Sequence, residues 1–582
     1  MAFATPSGEV TRWVAAEDAP RWRDWAGARD AGAAADITRH QLRRRAFVTA
    51  DELHQRYGLG LEDARTALDE AVKAGAAIRF GAPGSPELDR YADPRHADAA
   101  YRITLTMARS EADPASPEEF CRFLLRWQCV SPRTRRSGLE GLADVLVQLQ
   151  GRPLPFSVWE AAVLPARVRD YSPSWLDELC SGGLVAWRGL PGPGPSDGRI
   201  AFYRRENLAR WAPAGVDATE GDVPERVRGA LRRLGPSFLA DIAAEAGVSA
   251  HETLGALWDM MWHGEVAQDD FRAVRRGRPD EAEARQIGAR LAVGGARGGF
   301  LGAAMPRWSL LPPGQLDAEA FTSDRTLAET VGWLLLARNG IMARGLLEAE
   351  DVPLPWGALY DVYQRLEMQG KVARGYFVAG LEGAQFALPE AADALRGVQT
   401  ESDREAEGPV LLNTCDPANP YGAGAPWAVT DASGAEVPCH RNRQNSLVVD
   451  QGRPALLIEW GAERVTALVP SDETSLRRLL LPVREALESP SAARSARRLR
   501  VVRFGDAPVL HSPIEPPLRD AGFQSDGQGL VYVGLPRPAK GSDAEGWPTP
   551  RPAPRGTVPK LPYPRPPGRR RGKGRRQGQG PP

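Results

Sequence analysis

Between residues 355 and 381 (PWGALYDVYQRLEMQGKVARGYFVAGL) the apolar side chains change their spacing partway along. Trp356, Leu359, Tyr363 and Leu366 are separated by three, four and three residues, which predicts one face of an α-helix and leaves Asp361, Gln364, Arg365 and Met368 outside it. Gly370 ends that helix, and residues 371–374 and 376–378, on either side of Gly375, read as two short strands joined by a turn. A helix followed by a two-stranded ribbon is the back half of a winged helix. The same succession recurs in residues 64–80 (ARTALDEAVKAGAAIRF), 172–189 (SPSWLDELCSGGLVAWRG) and 250–271 (AHETLGALWDMMWHGEVAQDDF), with Gly75, Gly183 and Gly264 as the stops. Four copies about a hundred residues apart predict a tandem array, because each small unit buries too little apolar surface alone and leans on its neighbours.

Residues 1–36 offer a strand over 9–14 and a helix over 19–29, too little for a domain. The first winged helix is expected at 37–82, where Thr49 with Glu52 three residues on predicts a capping box. Its third helix presents Arg65 and Lys73 outward and its wing adds Arg79; these are candidate DNA contacts through phosphate, although ordinary solvated surface charge is the commoner role of such residues. The polar stretch 81–115 reads as a linker around one short segment, 101–107. The second unit, 116–206, opens with an apolar-faced helix carrying Trp127 and the basic run Arg133, Arg135 and Arg136. Pro153 and Pro155 break its next helix after Gln150, Leu164-Pro165 ends another, and Ser172 caps the last. A Gly- and Pro-rich loop at 189–198 precedes the closing wing strand at 200–205.

The third unit, 223–272, differs in charge. Glu252, Trp258, Asp259, Met261 and Trp262 on its recognition helix, with Glu265, Asp269 and Asp270 on its wing, repel phosphate and predict a packing or oligomerisation module. A low-complexity stretch, 275–302, separates it from PRWSLL (306–311), which opens the fourth unit at 306–397. There Lys371 and Arg374 are the best candidate phosphate contacts, while Tyr376 and Phe377 occupy strand positions that more often enter a core. Asp416 to Gly422 (DPANPYG) is dense with turn formers and reads first as a shaped loop. Past Glu407 helical spacing gives way to alternation. Three strands over 446–470, a helix capped by Ser471, and RRLRVVRF, PPLRDAGF and GLVYV complete a β-rich, barrel-like module at 408–535. Residues 536–582 form a Pro/Gly/Arg-rich tail expected to be disordered. The predicted fold class is multidomain α+β: tandem winged-helix modules, then a β-rich (barrel-like) module and a disordered basic tail.

Composition narrows the function. With 582 residues, 42% hydrophobic, and 16 tryptophans, the chain can fill several cores. No run of eighteen apolar residues occurs, and the first twenty residues lack the apolar stretch of a signal peptide, so a cytoplasmic, nucleoid-associated protein without a membrane partner is expected. Five scattered cysteines, an odd number, argue against a disulfide framework. Cys439-His440 has no second pair at ligand spacing, and no metal or other cofactor is expected. The formal net charge of +0 hides an asymmetry: from Arg551 onward there are ten basic residues and no acidic ones, which leaves the preceding body with 64 basic against 74 acidic. A polyanion must therefore meet local patches or the tail.

Nine segments carry a resemblance: RWVAAEDA, FLLRWQCV, VQLQGRPLPFSVWEAAVLPARVRDYSPSWLDEL, ALWDMMWHGEV, PRWSLL, LLLARNGI, LEMQGKVARGYFVAGLEGAQFALPEA, CDPANPYG and PPLRDAGF. In this order they resemble the C-terminal region of the large helicase-related (Lhr) proteins. The resemblance implies tandem winged helices followed by a β-rich module, a role in DNA repair, a homo-oligomer (a tetramer), and a helicase core as partner. No G-x-x-x-x-G-K-[ST] phosphate loop is present, so a helicase would be separately encoded or lost. The VLVQLQGRPLP to LDEL region is also similar to AlkZ-like DNA glycosylases. That similarity implies a catalytic pair at Gln148 and Gln150, with Arg167 and Tyr171 contacting DNA near a flipped nucleotide. Read from the residues alone, the same glutamines are helix-end polar groups that satisfy backbone or touch DNA without chemistry. Two functions follow as expectations: a DNA-binding and assembly module of a DNA-repair helicase system, or a DNA glycosylase excising a deaminated or alkylated base. A transcriptional regulator is disfavoured by the lack of a strongly basic recognition helix.

Overall fold

The computed structural model describes residues 2–5, 8–11, 31–80, 89–96, 113–191, 198–214, 218–294, 306–350, 352, 354–400, 407–422, 426–488 and 499–534. The predicted helix at 19–29, the segment at 101–107, the middle of the 189–198 loop and the 536–582 tail lie outside them. The chain divides into two units, Met1–Asp113 and Pro114–Pro582.

All four recognition helices end alike. Leu61–Lys73, Pro173–Ser181, Ala250–Trp262 and Trp356–Met368 each place a glycine two residues beyond the last helical one. Gly75, Gly183, Gly264 and Gly370 lie at φ of 70°, 73°, 71° and 72°, the left-handed region where a side chain is penalised. The next residue donates its amide back across the turn in every copy: Ala76 to the Ala71 carbonyl, Leu184 to Leu179, Glu265 to Met260 and Lys371 to Leu366, at 2.8, 3.1, 2.9 and 3.0 Å. This closure stops the helix and launches the wing strand.

In the first unit, helices Ala31–Arg44, Ala50–Tyr57 and Leu61–Lys73 bury Leu42, Leu53, Tyr57 and Leu68. The Thr49–Glu52 capping box forms, with hydrogen bonds of 3.1 and 3.2 Å. The winged helix is longer than the 37–82 span expected. Its first helix begins at Ala31, and its wing strand Ile78–Phe80 pairs antiparallel with Arg90–Ala92. Near the N-terminus, Gly8–Thr11 pairs with Ala2–Thr5.

In the second unit the wing of the second winged helix becomes a shared wall. Strand Val185–Leu190 is buried at every position, and its partner Arg199–Arg204 at four of six. Val185, Trp187, Ile200 and Phe202 point into a core shared by the second and third winged helices. Ala186, Leu190, Ala201 and Tyr203 point into the core of the fourth. A strand with both faces covered has no use for alternation, which is why VAWRGL runs nearly unbroken in apolar character.

Several local expectations need correction. Pro165 does not end a helix: a wide turn over Trp159–Val163 is followed by a helical turn at Leu164–Arg167 that carries the proline near its start, where its missing N–H is not needed. Ser172 holds the N-cap position but makes no cap hydrogen bond; its hydroxyl pairs with that of Ser174. PRWSLL does not open the fourth winged helix, because Trp308–Leu310 pairs antiparallel with Val266–Gln268 and completes the third wing. The intervening low-complexity stretch contains the helix Glu281–Gly294. Asp472, not Ser471, caps the helix Glu473–Leu479, accepting from the Ser475 amide at 2.8 Å.

Among the described residues the C-terminal module does not close into a barrel. Val410–Asn413, Asn445–Asp450, Arg453–Glu459, Arg464–Ala467, Arg503–Phe504 and Ala507–Pro508 form an open six-stranded sheet in that order. Its last two strands have two residues each, too short to fold back and meet the first. A separate three-stranded sheet orders Arg500–Val501, Leu530–Tyr532 and Phe523–Ser525.

Candidate nucleic-acid interface

Packing decides which winged helices can meet a polyanion. The second has its wing sandwiched, and the exposed positions of its recognition helix are Ser174, Glu178 and Ser181. In the third, Trp258, Met260 and Met261 are buried against Val185–Leu190 and Glu281–Gly294. The apolar surface that predicted a packing module is covered within this chain.

The fourth winged helix differs. Lys371 and Arg374 are exposed, as are Met368 (70%) and Tyr376 (75%). The Arg374 guanidinium lies 5.5 Å from the Tyr360 ring centre and 6.0 Å from that of Phe386, which restricts it without hiding it. Tyr376 does not enter the core, whereas Phe377 is half-buried. The reason is Gln385, fully buried on the second wing strand. Its Oε1 accepts from the Phe377 and Val378 amides at 2.8 and 2.9 Å, and its Nε2 donates to the Val378 and Leu381 carbonyls at 2.8 and 3.1 Å. The segment before the second winged helix adds a bridge, with Ala115 N to Phe377 O at 2.9 Å and Ala379 N to Ala115 O at 2.8 Å. Together they turn the Tyr376 ring toward solvent.

The glutamine pair lies at the junction of the second and fourth winged helices. Gln148 Nε2 donates to the Trp127 and Ala337 carbonyls at 3.0 and 3.2 Å. Gln150 Nε2 donates to the Val147 carbonyl at 3.0 Å, and its Oε1 accepts from the Arg204 amide and Asn207 Nδ2 at 3.3 and 3.1 Å. Below them Arg338, Arg152, Asn339 and Glu350 form a buried cluster absent from the sequence expectations. Arg338 donates to Glu350 and to the Gln150 carbonyl, Arg152 lies 3.7 Å from Glu350, and Asn339 Nδ2 donates to Glu350 at 2.6 Å. Burial alone would raise the Glu350 carboxyl; Arg338, Arg152 and Asn339 outweigh it and hold the group below the usual carboxylate range.

Arg167 and Tyr171 are both engaged by protein. Arg167 is 0% exposed; its guanidinium donates to both carboxylate oxygens of Asp416 at 2.7 and 2.8 Å, to Gln128 Oε1 at 2.9 Å and to the Val163 carbonyl at 3.1 Å. The DPANPY turn is thus a shaped loop that docks on the second winged helix. The Tyr171 hydroxyl donates to Glu160 at 3.1 Å, and Glu160 and Asp177 both receive Arg275. In the first winged helix Lys73 is exposed, Arg65 pairs with Glu62 at 2.9 Å, and Arg79 pairs with Asp89 at 2.5 Å.

A cleft of about 830 Å³ opens between the second and fourth winged helices, one residue from Gln150. Gly151, Tyr203, Trp211, Trp356, Arg199 and Arg344 are among its lining. Tyr203 is buried in its floor, which pushes its hydroxyl up to about 12. Among the described residues no group of three His, Cys, Asp or Glu side chains assembles for a metal, and no helix is long and apolar enough to cross a membrane.

Residues 115–205 and 322–407 match two family models, for the third and fourth such domains, each described as large helicase-related protein, winged-helix domain. The resemblance to the large helicase-related proteins holds. A Mycolicibacterium smegmatis protein named "Lhr helicase/ probable uracil glycosylase" is 32% identical over 419 residues, 67% of this chain and 26% of its own length. An Escherichia coli K12 protein named "Lhr helicase/uracil glycosylase" is 29% identical over 563 residues, 90% of this chain and 36% of its own length. The chain therefore spans about a quarter to a third of these curated relatives. The Streptomyces sahachiroi DNA glycosylase AlkZ superposes at a TM-score of 0.37 with 13% identity, covering 68% of this chain and 99% of that one, too loosely to compare individual residues.

Proposed function

We propose that this chain is a DNA-binding module of a DNA-repair helicase system that contacts DNA through the wing of its fourth winged helix. The observation that supports this reading is the outward Lys371, Arg374 and Tyr376 surface, in a unit whose other two winged helices have a wing or recognition helix packed against protein. A helicase partner and a homo-oligomeric assembly belong to the same reading. Titrating the full chain against fluorescent duplex DNA at several salt concentrations tests it. Lys371→Ala with Arg374→Ala should weaken binding on every duplex alike and lower the salt slope by about 2, close to one per phosphate contact. Unchanged affinity and slope would refute the placement of the interface.

A second reading, a DNA glycosylase excising a deaminated or alkylated base, is favoured by the cleft beside Gln150. Its volume suits a nucleoside, and it combines indole surface with Arg199 and Arg344. Both curated relatives carry uracil glycosylase in their names. Duplexes containing uracil or an alkylated base, incubated with the chain and then treated with alkali, should break at abasic sites. Gln150→Ala also strips Arg204 and Asn207 of their acceptor, so Arg344→Ala, an exposed substitution at the cleft, is the cleaner second variant. No strand breakage across the lesion panel would eliminate the glycosylase.

A further inference from the structure

The wing sheet of the first winged helix has an apolar outer face that neither the fourth wing nor the cleft explains. Val48 and Tyr91 exchange backbone hydrogen bonds of 2.8 and 2.9 Å, and Tyr91 stands opposite Arg79 on the neighbouring strand. These three side chains share the inner face. Val48 and Tyr91 are buried, Tyr91 donates to Asp69, and Arg79 reaches Asp69 and Asp89. Side chains one residue along point the other way. Phe47, Ile78 and Phe80 are there 42%, 38% and 43% exposed, with Arg90 exposed opposite Phe80. The Phe47 and Phe80 ring centroids are 5.9 Å apart and nearly perpendicular.

Exposed arginines adjoin this face, Arg90 by strand register with Phe80 and Arg43 and Arg44 in the chain just before Phe47. Arg43 and Arg44, both exposed, close the first helix, and Arg45 and Ala46 lead on to Phe47. Four carboxylates of this winged helix are engaged, Glu52 by Arg45, Asp69 by Tyr91, Asp89 by Arg79 and Asp93 by Arg95, while Asp51 is exposed. Phenyl rings have no polar atom with which to read a groove edge or hold a phosphate. Their use on nucleic acid is to stack on a base face, and base faces are open only in unpaired strands. The geometry points to this face as a platform for single-stranded nucleic acid: bases stack on Phe47 and Phe80, and phosphates meet Arg43 and Arg90. The inference rests on the DNA-binding reading and adds to it a preference for an unpaired strand.

The test compares oligothymidylate with a duplex of equal length on the full chain by fluorescence anisotropy. Phe47→Ala with Phe80→Ala should weaken oligothymidylate binding roughly ten- to a hundredfold, leave duplex binding in place, and leave the circular dichroism unaltered. Phe47→Trp with Phe80→Trp should keep the single-strand affinity, since stacking survives. Ultraviolet cross-links of oligothymidylate to the unmodified chain should map to peptides containing Phe47 or Phe80, a readout that needs no variant to fold. Equal single-strand affinity before and after the alanine pair overturns the proposal. So does a changed oligomeric state with single-strand affinity intact, which marks the face as a protein contact. If the unmodified chain binds duplex but not oligothymidylate, this inference alone fails; if it binds neither, the DNA-binding reading fails with it.

Discussion

Arg167→Ala should destabilise the second unit by about 3–5 kcal/mol, the range for removing one partner of a buried ion pair. The Asp416 carboxylate it leaves behind is 1% exposed. That carboxylate keeps one remaining donor, the Ala418 amide at 2.8 Å, and a single neutral donor does not offset a buried charge. Gln128 loses its guanidinium as well. Arg167→Met combined with Asp416→Leu should recover much of the loss, because two well-packed apolar side chains cost less than one stranded ion; the recovery stays incomplete, since the Ala418 amide loses its acceptor. Urea unfolding followed by tryptophan fluorescence measures both variants. Arg167 ties the turn at Leu164–Arg167 to the loop that follows the first strand of the C-terminal sheet, so the single variant should also unfold in two separate transitions. A loss below 1 kcal/mol would mean that the pair is not desolvated in solution.

How far the sequence could be read follows from how local each feature is. The four helix stops were legible, because a glycine after an amphipathic run is a signal contained in a few residues, and all four carry positive φ. Which surfaces the units share was not, because it depends on partners far along the chain. The hint lay in VAWRGL and IAFY, where apolar character without alternation already indicates cover on both faces. The third wing was split for the same reason: Val266–Gln268 finds its partner at Trp308–Leu310, beyond an intervening helix. Closure of the C-terminal sheet was overestimated because alternation predicts strands, not whether the first and last meet. At the candidate site, Gln148 and Gln150 were noticed for their resemblance and the cluster beneath them was missed. Its signal is present, since Arg338 follows Val331, Leu334 and Leu335 on the core-facing stripe of Arg325–Asn339. A charge there demands a buried counter-ion, but nothing local names Glu350 or brings Arg152 beside it.

Glu350→Gln should cost about 3–5 kcal/mol at neutral pH, since it removes the carboxylate that Arg338 and Arg152, 1% and 8% exposed in their side chains, both face. The effect has a defined pH dependence. The folded-state carboxyl is held below its unfolded value, so its contribution is fully present above the ordinary glutamate pKa of about 4.3 and disappears as pH falls through the lower folded value. The difference in urea midpoint between the parent chain and Glu350→Gln should therefore be large at pH 7 and shrink as the buffer is taken below about pH 4, with the parent chain losing the greater part. The same cluster spans the junction beside the cleft: Arg338 grips the Gln150 carbonyl and Arg152 that of Ala349, next to the helix bearing Arg344 and Leu347. Glu350→Gln should thus loosen the two winged helices against each other, seen as faster amide exchange at Gly151 and Leu347 before global unfolding. A midpoint difference that stays constant from pH 7 to pH 3 would show that the carboxylate is not ionised against those arginines, and the clamp would then owe its strength to packing alone.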